Sequence, residues 1–342
     1  MKTSLRLQRG TVTLAAFCLQ GLSVHAVTFT NDTLISFYNS NYDGQPIVVS
    51  NCTVTIDGSH LFADVHLLSG GVLTHSPAFN GVLTNLVQIT NEQQLVSSTN
   101  PAVLSQTNVL TNTVVVTDLT GSNIYALGTD YALAASNNST LLVYLTGSTI
   151  SDGSTVLVSY QAVQTVSSGM NLTVTNNFQI ETGGAINANG NGYGAGNGPG
   201  EGKLAYTTSP FPYYAGSGGG YGGSGGSSSS GAPGGVCNGT VSNSSSLGSG
   251  GGGGSNPFGG FVSGGAGGGS IIVAVSGLLR VDGSITANGA DGTNTFSGGG
   301  SGGGIHLAAQ TFFGAGLISA NGGAGDPYFG GGGGGGASPS IL

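Results

Sequence analysis

The sequence predicts an all-β fold: a solenoid of stacked coils with a small antiparallel, sandwich-like β-domain inserted into it. Three observations carry this. The heptapeptide Gly-x-Ile-x-Ala-Asn-Gly occurs at residues 184–190, 283–289 and 316–322. The last two copies lie 33 residues apart and the first two 99, the spacing of a chain that returns to equivalent positions. Gly contributes 68 of 342 residues and charged side chains only 5%, against about 7% and about 25% in ordinary soluble domains. No segment beyond residue 26 sustains a 3.6-residue apolar period, whereas period-two alternation bounded by turn residues recurs.

Residues 1–26 read as a secretory signal: Lys2, Arg6 and Arg9 precede a short apolar core at residues 11–22 and the small-residue site Val24-His25-Ala26. That core is shorter than the roughly 20 apolar residues a bilayer span needs, so export is expected, with Val27 as the new N-terminus and no membrane span. The exported chain keeps Lys203 and Arg280 against 13 carboxylates, a formal charge of −11, which excludes nucleic acid and anionic membranes as electrostatic partners. Residues 27–78 alternate in short runs such as 52–58 and 61–67, the first coils. In residues 79–165 Gly thins and strands lengthen, at 112–118, 131–135, 140–145 and 155–162, the inserted β-domain. Coil pattern resumes at 166–190. Residues 191–269 are Gly/Ser-rich and low in complexity, and read as loops. Coils return at 270–342, where the Gly run 330–336 opens a further unit that the sequence does not complete, as in a truncated array. Cys52 falls in phase with Val54 and Ile56 and reads as a small buried hydrophobe, and pairing with Cys237 stays open.

Within each heptapeptide the Ile and Ala are two apart and so share the inward face of a strand, while Asn187, Thr286 and Ser319 point outward. Stacking places Ile186, Ile285 and Ile318 in one column and Ala188, Ala287 and Ala320 in the next. Asn189, Asn288 and Asn321 close each copy at a corner, either as turn formers or as an amide ladder between coils. A 33-residue offset extends the register, setting Ile272 over Ile305, Ala274 over Leu307 and Leu279 over Phe312.

The runs 55–60 (Thr-Ile-Asp-Gly-Ser-His), 70–75 (Gly-Gly-Val-Leu-Thr-His) and 302–322 (Gly-Gly-Gly-Ile-His-Leu leading into the heptapeptide) together resemble the Gly-rich right-handed parallel β-helix proteins exported by bacteria, often described as adhesin- or haemagglutinin-like. Residues 125–160 are similar to small β-domains of large extracellular or phage-tail-like proteins. The resemblance implies a right-handed parallel β-helix and a secreted or cell-surface location, and brings no catalytic residues.

The candidate site residues are Asp57, His60, Asp64, His66 and His75. Asp64 and His66 are one outward step apart, with no Lys or Arg near them in sequence. Acids on an outward strand face bind Ca²⁺ or cleave glycosidic bonds in β-helix enzymes, and the alternative function is accordingly a polysaccharide lyase or glycoside hydrolase. The spacing of His60, Asp64, His66 and His75 fits no standard zinc motif, so neither metal nor cofactor is expected. Tyr193, Tyr206, Tyr213, Tyr214 and Tyr221 offer stacking surfaces for sugars or self-association, or incidental aromatics in a flexible loop. An ice or crystal binder needs a flat array of outward Thr, and only Thr286 supplies one. The reading is therefore an exported, non-catalytic surface or extracellular-matrix protein acting in adhesion or as a scaffold. Its expected partners are extracellular polysaccharide or other surface proteins.

Overall fold

The computed structural model describes residues 25–77, 80, 82–136, 139–239, 246–255, 259–292 and 295–336. Most of the signal segment lies outside them. Among the described residues the fold is all-β, with one 3₁₀ turn and no α-helix.

Two parallel sheets dominate. The first has eight strands: β1 (Val27–Phe29), β3 (Ile47–Val49), β5 (Gly58–Phe62), β6 (Val65–Leu67), β15 (Met170–Val174), β16 (Phe178–Ile180), β20 (Ser270–Val281) and β22 (Gly304–Phe313). The second, in order, holds β2 (Thr33–Ile35), β4 (Thr53–Ile56), β7 (Val72–Thr74), β17 (Ala185–Asn187), β21 (Ser284–Thr286) and β23 (Leu317–Ser319). Successive rungs repeat one plan. β5, β6 and β7 are followed in space by β15, β16 and β17, which pair with them in that order. The first half of β20 then pairs with β15 and its second half with β16, while β21 pairs with β17. β22 and β23 add the next rung. The strands form because β-branched and aromatic residues at alternate positions all fall on one side: Ile47, Val49, Val65, Leu67, Phe178, Ile180, Leu279 and Val281 are buried in one continuous core with Ile186, Ile285, Ala188 and Ala287. Cys52 belongs to that core, and Cys52 and Cys237 are both free thiols.

Ile186, Ile285 and Ile318 are direct ladder partners. The 33-residue offset, however, fails in the first half of β20. Ile271, not Ile272, stands opposite Ile305, and Val273, not Ala274, opposite Leu307, whereas Leu279 meets Phe312 as expected. The register slips between Val275 and Leu278, where Ser276-Gly277 inserts one extra residue as a bulge. The inward residues of β20 are Ile271, Val273 and Val275 before it and Leu279 and Val281 after it, so Ile272, which the 33-residue offset sets over Ile305, is half-exposed instead.

The Asn corners form a ladder of side chain to main chain rather than amide to amide. Asn189 Oδ1 accepts from Asn288 N at 2.7 Å, and Asn288 Oδ1 from Asn321 N at 2.7 Å and from the Ser319 hydroxyl at 3.1 Å. Other corners use the same device: Asp32 to Thr53 N, Asp64 to Asn177 N, Asn177 to Leu278 N, Asp282 to Ala315 N and Asp291 to Ala324 N. A short side-chain oxygen thus binds the backbone N–H one rung on, satisfying donors that the bend removes from the sheet.

Each of these rungs leaves the sheets at the same corner, after β7, β17, β21 and β23. From the first exit rises an antiparallel unit. β8 (Val82–Leu95) and β10 (Val109–Thr117) flank β14 (Thr155–Ser167), with β11 (Ile124–Tyr125) on the edge, and β9 (Ala102–Thr107), β13 (Ser139–Tyr144) and β12 (Tyr131–Ser136) form a second sheet. Val116, Val158, Tyr160, Leu104 and Leu142 make its separate core.

From the later exits come the Gly-rich segments, which the sequence reading took for loops. Over residues 215–221, 247–254 and 296–305 they are buried, hydrogen-bonded backbone. Along residues 298–303 the N–H groups donate in turn to Gly252, Gly331, Ala290, Ser249, Gly334 and Ala287. Every third residue returns to the same neighbouring segment, the periodicity of polyproline II backbone. Residues 216–220 do likewise, Gly216 and Gly219 donating to Phe296 and Gly299, Ser217 and Gly220 to Lys203 and Gly200. Packing this close requires Gly, since a Cβ on Gly300 would run into the Ala266 carbonyl. A hairpin of β18 (Leu204–Thr207) and β19 (Tyr213–Gly216) borders the bundle.

Candidate functional site

The five residues singled out from the sequence do not converge, and among the described residues no three His, Cys, Asp or Glu side chains are grouped to hold a metal ion. Asp57 is buried and clasps Ser76, accepting from its backbone N–H at 2.7 Å and its hydroxyl at 2.8 Å. His75 is buried beside it. Its Nε2 accepts from Ser270 N at 3.2 Å, which fixes the tautomer, so Nδ1 donates to the Ser76 carbonyl at 3.0 Å. Burial pulls the His75 pKa below its ordinary value, opposed by that carbonyl and by Asp57. His75 therefore pins the chain where it leaves for the antiparallel unit to the start of β20. His60 lies in the core, Nδ1 at 3.0 Å from Asp43, with Nε2 buried and unpartnered. Asp64 lies outside β6 and binds the turn at Asn176 and Asn177.

His66 alone opens onto something larger. Its Nε2 lies 2.7 Å from Glu181 Oε1, and Glu181 lines a groove of about 250 Å³ with Gln179, Ile180, Thr182, Arg280 and Asp282. Here the fold supplies a cation that the sequence around His66 lacks. His66, Gln179, Arg280 and Phe313 are successive ladder partners on β6, β16, β20 and β22, so their side chains share one outward row about 4.8 Å apart. Arg280 Nε donates to Asp282 Oδ2 at 2.5 Å, and the guanidinium sits 5.5 Å from the centre of the Phe313 ring. Ile180 and Val281 are partners, so Glu181 and Asp282 follow them at matching corners of adjacent rungs. Sequence reasoning missed Glu181, Arg280 and Asp282, and the 99-residue offset of the heptapeptides does not find them: carried back, it sets Glu181 level with Arg280, where the ladder places Gln179.

The acids elsewhere are committed to structure. Glu92 accepts from Ser105 N and its hydroxyl, both at 2.9 Å, and from the Tyr160 hydroxyl at 2.5 Å. Burial pushes its pKa up, but these donors together hold it below the usual carboxylate range. Asp130 is held down by the N–H groups of Ala126 and Thr149 and the Thr149 hydroxyl, and Asp152 by the hydroxyl and N–H of Ser98. Asp118 is held down by the Thr120 hydroxyl together with Asn123 and the Ser122 N–H. Asp326 accepts from Phe296 N and Phe329 N. With the corner acids Asp32, Asp64, Asp282 and Asp291, and with Asp57, ten carboxylates accept backbone N–H groups. The remaining three, Asp43, Glu181 and Glu201, pair with His60, His66 and Lys203, which accounts for all 13.

The tyrosines form no continuous surface. Tyr213 and Tyr221 are buried, Tyr213 with Phe296 in a small core. Tyr206 and Tyr214 pack on each other with ring centres 4.8 Å apart. Among the described residues no helix is long and apolar enough to cross a membrane. No protein-family model, curated protein or solved structure matches the chain.

Proposed function

We propose that this chain is exported and works outside the cell as a non-catalytic surface or matrix protein, attaching to extracellular polysaccharide or to other surface proteins. In this reading its rungs wind as a right-handed parallel β-helix, as in the Gly-rich exported proteins it resembles, and the antiparallel unit is a domain carried by that shaft. The observation that carries the reading is the commitment of every carboxylate. A hydrolase needs one carboxyl kept neutral near working pH by burial or a like charge, whereas Glu92, Asp118, Asp130 and Asp152 are held ionised by donors. A face repeated rung after rung suits many weak contacts. The test is twofold. Secreted material should begin at Val27 on N-terminal sequencing, and the purified chain should be retained on insoluble polysaccharide or on cells without releasing reducing ends or unsaturated products.

One observation favours the second reading, a polysaccharide-active enzyme: Glu181 and Asp282 are two carboxylates on adjacent rungs of an open groove that also holds Arg280. Product release that disappears in Glu181→Gln and Asp282→Asn would establish it and overturn the first.

A further inference from the structure

The groove on the outer face of the first sheet points to a ligand of definite chemistry. Resting on the extracellular-attachment reading, we infer that it is a subsite for one neutral pyranose unit of a polysaccharide lying across the rungs. Size gives the first argument. At about 250 Å³ the groove falls just under the roughly 300–1,000 Å³ of pockets that hold drug-sized ligands, so it takes a sugar ring and leaves the rest of the chain outside.

The lining gives the second. Gln179, Glu181, Arg280 and Asp282 are planar groups with paired donors or acceptors, which match the vicinal hydroxyls of a pyranose. His66 and Phe313 stand at the two ends of the row, and the Phe313 ring, 49% exposed, offers an apolar face to the C–H side of a sugar. The ladder fixes this row at about 4.8 Å per rung, close to the advance of a pyranose unit in an extended chain. Successive sugars therefore keep step with successive rungs.

Charge gives the third. Arg280 is paired with Asp282 and His66 with Glu181, so the groove carries no excess positive charge, and the exported chain at −11 repels polyanions. A uronate polymer or a phosphate is disfavoured. A divalent cation is disfavoured too, because both acids already face a base.

The purified full chain is titrated with cellohexaose, mannohexaose and hexagalacturonate by saturation-transfer NMR, at ligand concentrations reaching about 1 mM and above, where single weak sites report. The expected result is binding of a neutral hexasaccharide, weakened about tenfold by Arg280→Lys, which keeps the charge but loses the fork, and by Gln179→Ala. The far-UV spectrum and urea midpoint should be unchanged, because both side chains are on the outer face. The inference is overturned if neither neutral hexasaccharide binds, if both variants bind like the parent chain, or if hexagalacturonate binds more tightly than either. Its failure differs from failure of the broader reading. Attachment to insoluble polysaccharide or cells that survives in both variants sinks the subsite alone, whereas release of reducing ends sinks the non-catalytic reading and leaves the subsite in place.

Discussion

Removing the side chain of Ile285 tests whether the rungs share one inward column. Ile285 has no exposed surface and stands between Ile186 above and Ile318 below as their direct ladder partner. The hydrogen-bonded ladders hold neighbouring rungs about 4.8 Å apart, so they cannot close over a missing side chain and most of the vacated volume stays empty. Large-to-small core substitutions cost about 2–5 kcal/mol, more where the site cannot collapse, which puts Ile285→Ala at about 4 kcal/mol. Ile318→Ala, at a partly buried position, should cost about half as much, and Thr286→Ala, on the outward face, under about 0.5 kcal/mol. Urea unfolding at constant m gives the three values. Stacked rungs can open locally, so hydrogen exchange of peptides covering residues 184–190 and 283–289 should speed up together in Ile285→Ala. A loss in Ile285→Ala no larger than that in Thr286→Ala would refute the inward column.

Three further predictions concern polar and backbone groups. His75 stays neutral in the fold because its pKa is lowered from 6.5, while the unfolded chain protonates at its ordinary value. Stability is then full above about pH 6.5 and declines as pH falls below it. His75→Gln should flatten the change in urea midpoint between pH 7 and pH 5, and an unaltered change would refute the assignment. Asn288→Ala removes the acceptor of Asn321 N and of the Ser319 hydroxyl and should cost about 1–2 kcal/mol, read by faster exchange of the Asn321 amide. Gly300→Ala forces a Cβ into the Ala266 carbonyl and should cost about 3 kcal/mol, whereas Gly335, with nothing within 4 Å of its Cβ position, should accept Ala within about 0.5 kcal/mol in the same denaturation assay.

What the sequence discloses here is what side chains repeat. The Ile and Ala of the heptapeptides announce the inward columns because burial acts on alternate residues, and the 33-residue spacing sets Ile285 over Ile318. The bulge at Ser276-Gly277 escapes notice because the apolar residues on either side of it alternate without a break. It shows only against β22, where two residues of β20 face one. The described residues between 191 and 269 were illegible for a different reason. Their order resides in main-chain hydrogen bonds that no side-chain pattern encodes, and Gly runs look alike whether loose or packed. The groove was half legible. His66 was visible as an outward titratable residue, but its partners lie 115 and more residues away along the chain, and only the rung register brings Glu181 and Arg280 beside it.

The Gly bundle gives the two halves of the molecule different responses to temperature. The parallel sheets are held by apolar surface taken from water, and burial of that kind carries a large heat-capacity change and weakens on cooling. The bundle holds together by main-chain hydrogen bonds and close contact, and it buries few apolar side chains. Exposing peptide groups lowers the heat capacity, where exposing hydrocarbon raises it, so the bundle should melt with an enthalpy that changes little between cold and warm. Near freezing, where the Ile columns lose driving force, the bundle at the common exit corner would be the part that keeps the rungs aligned.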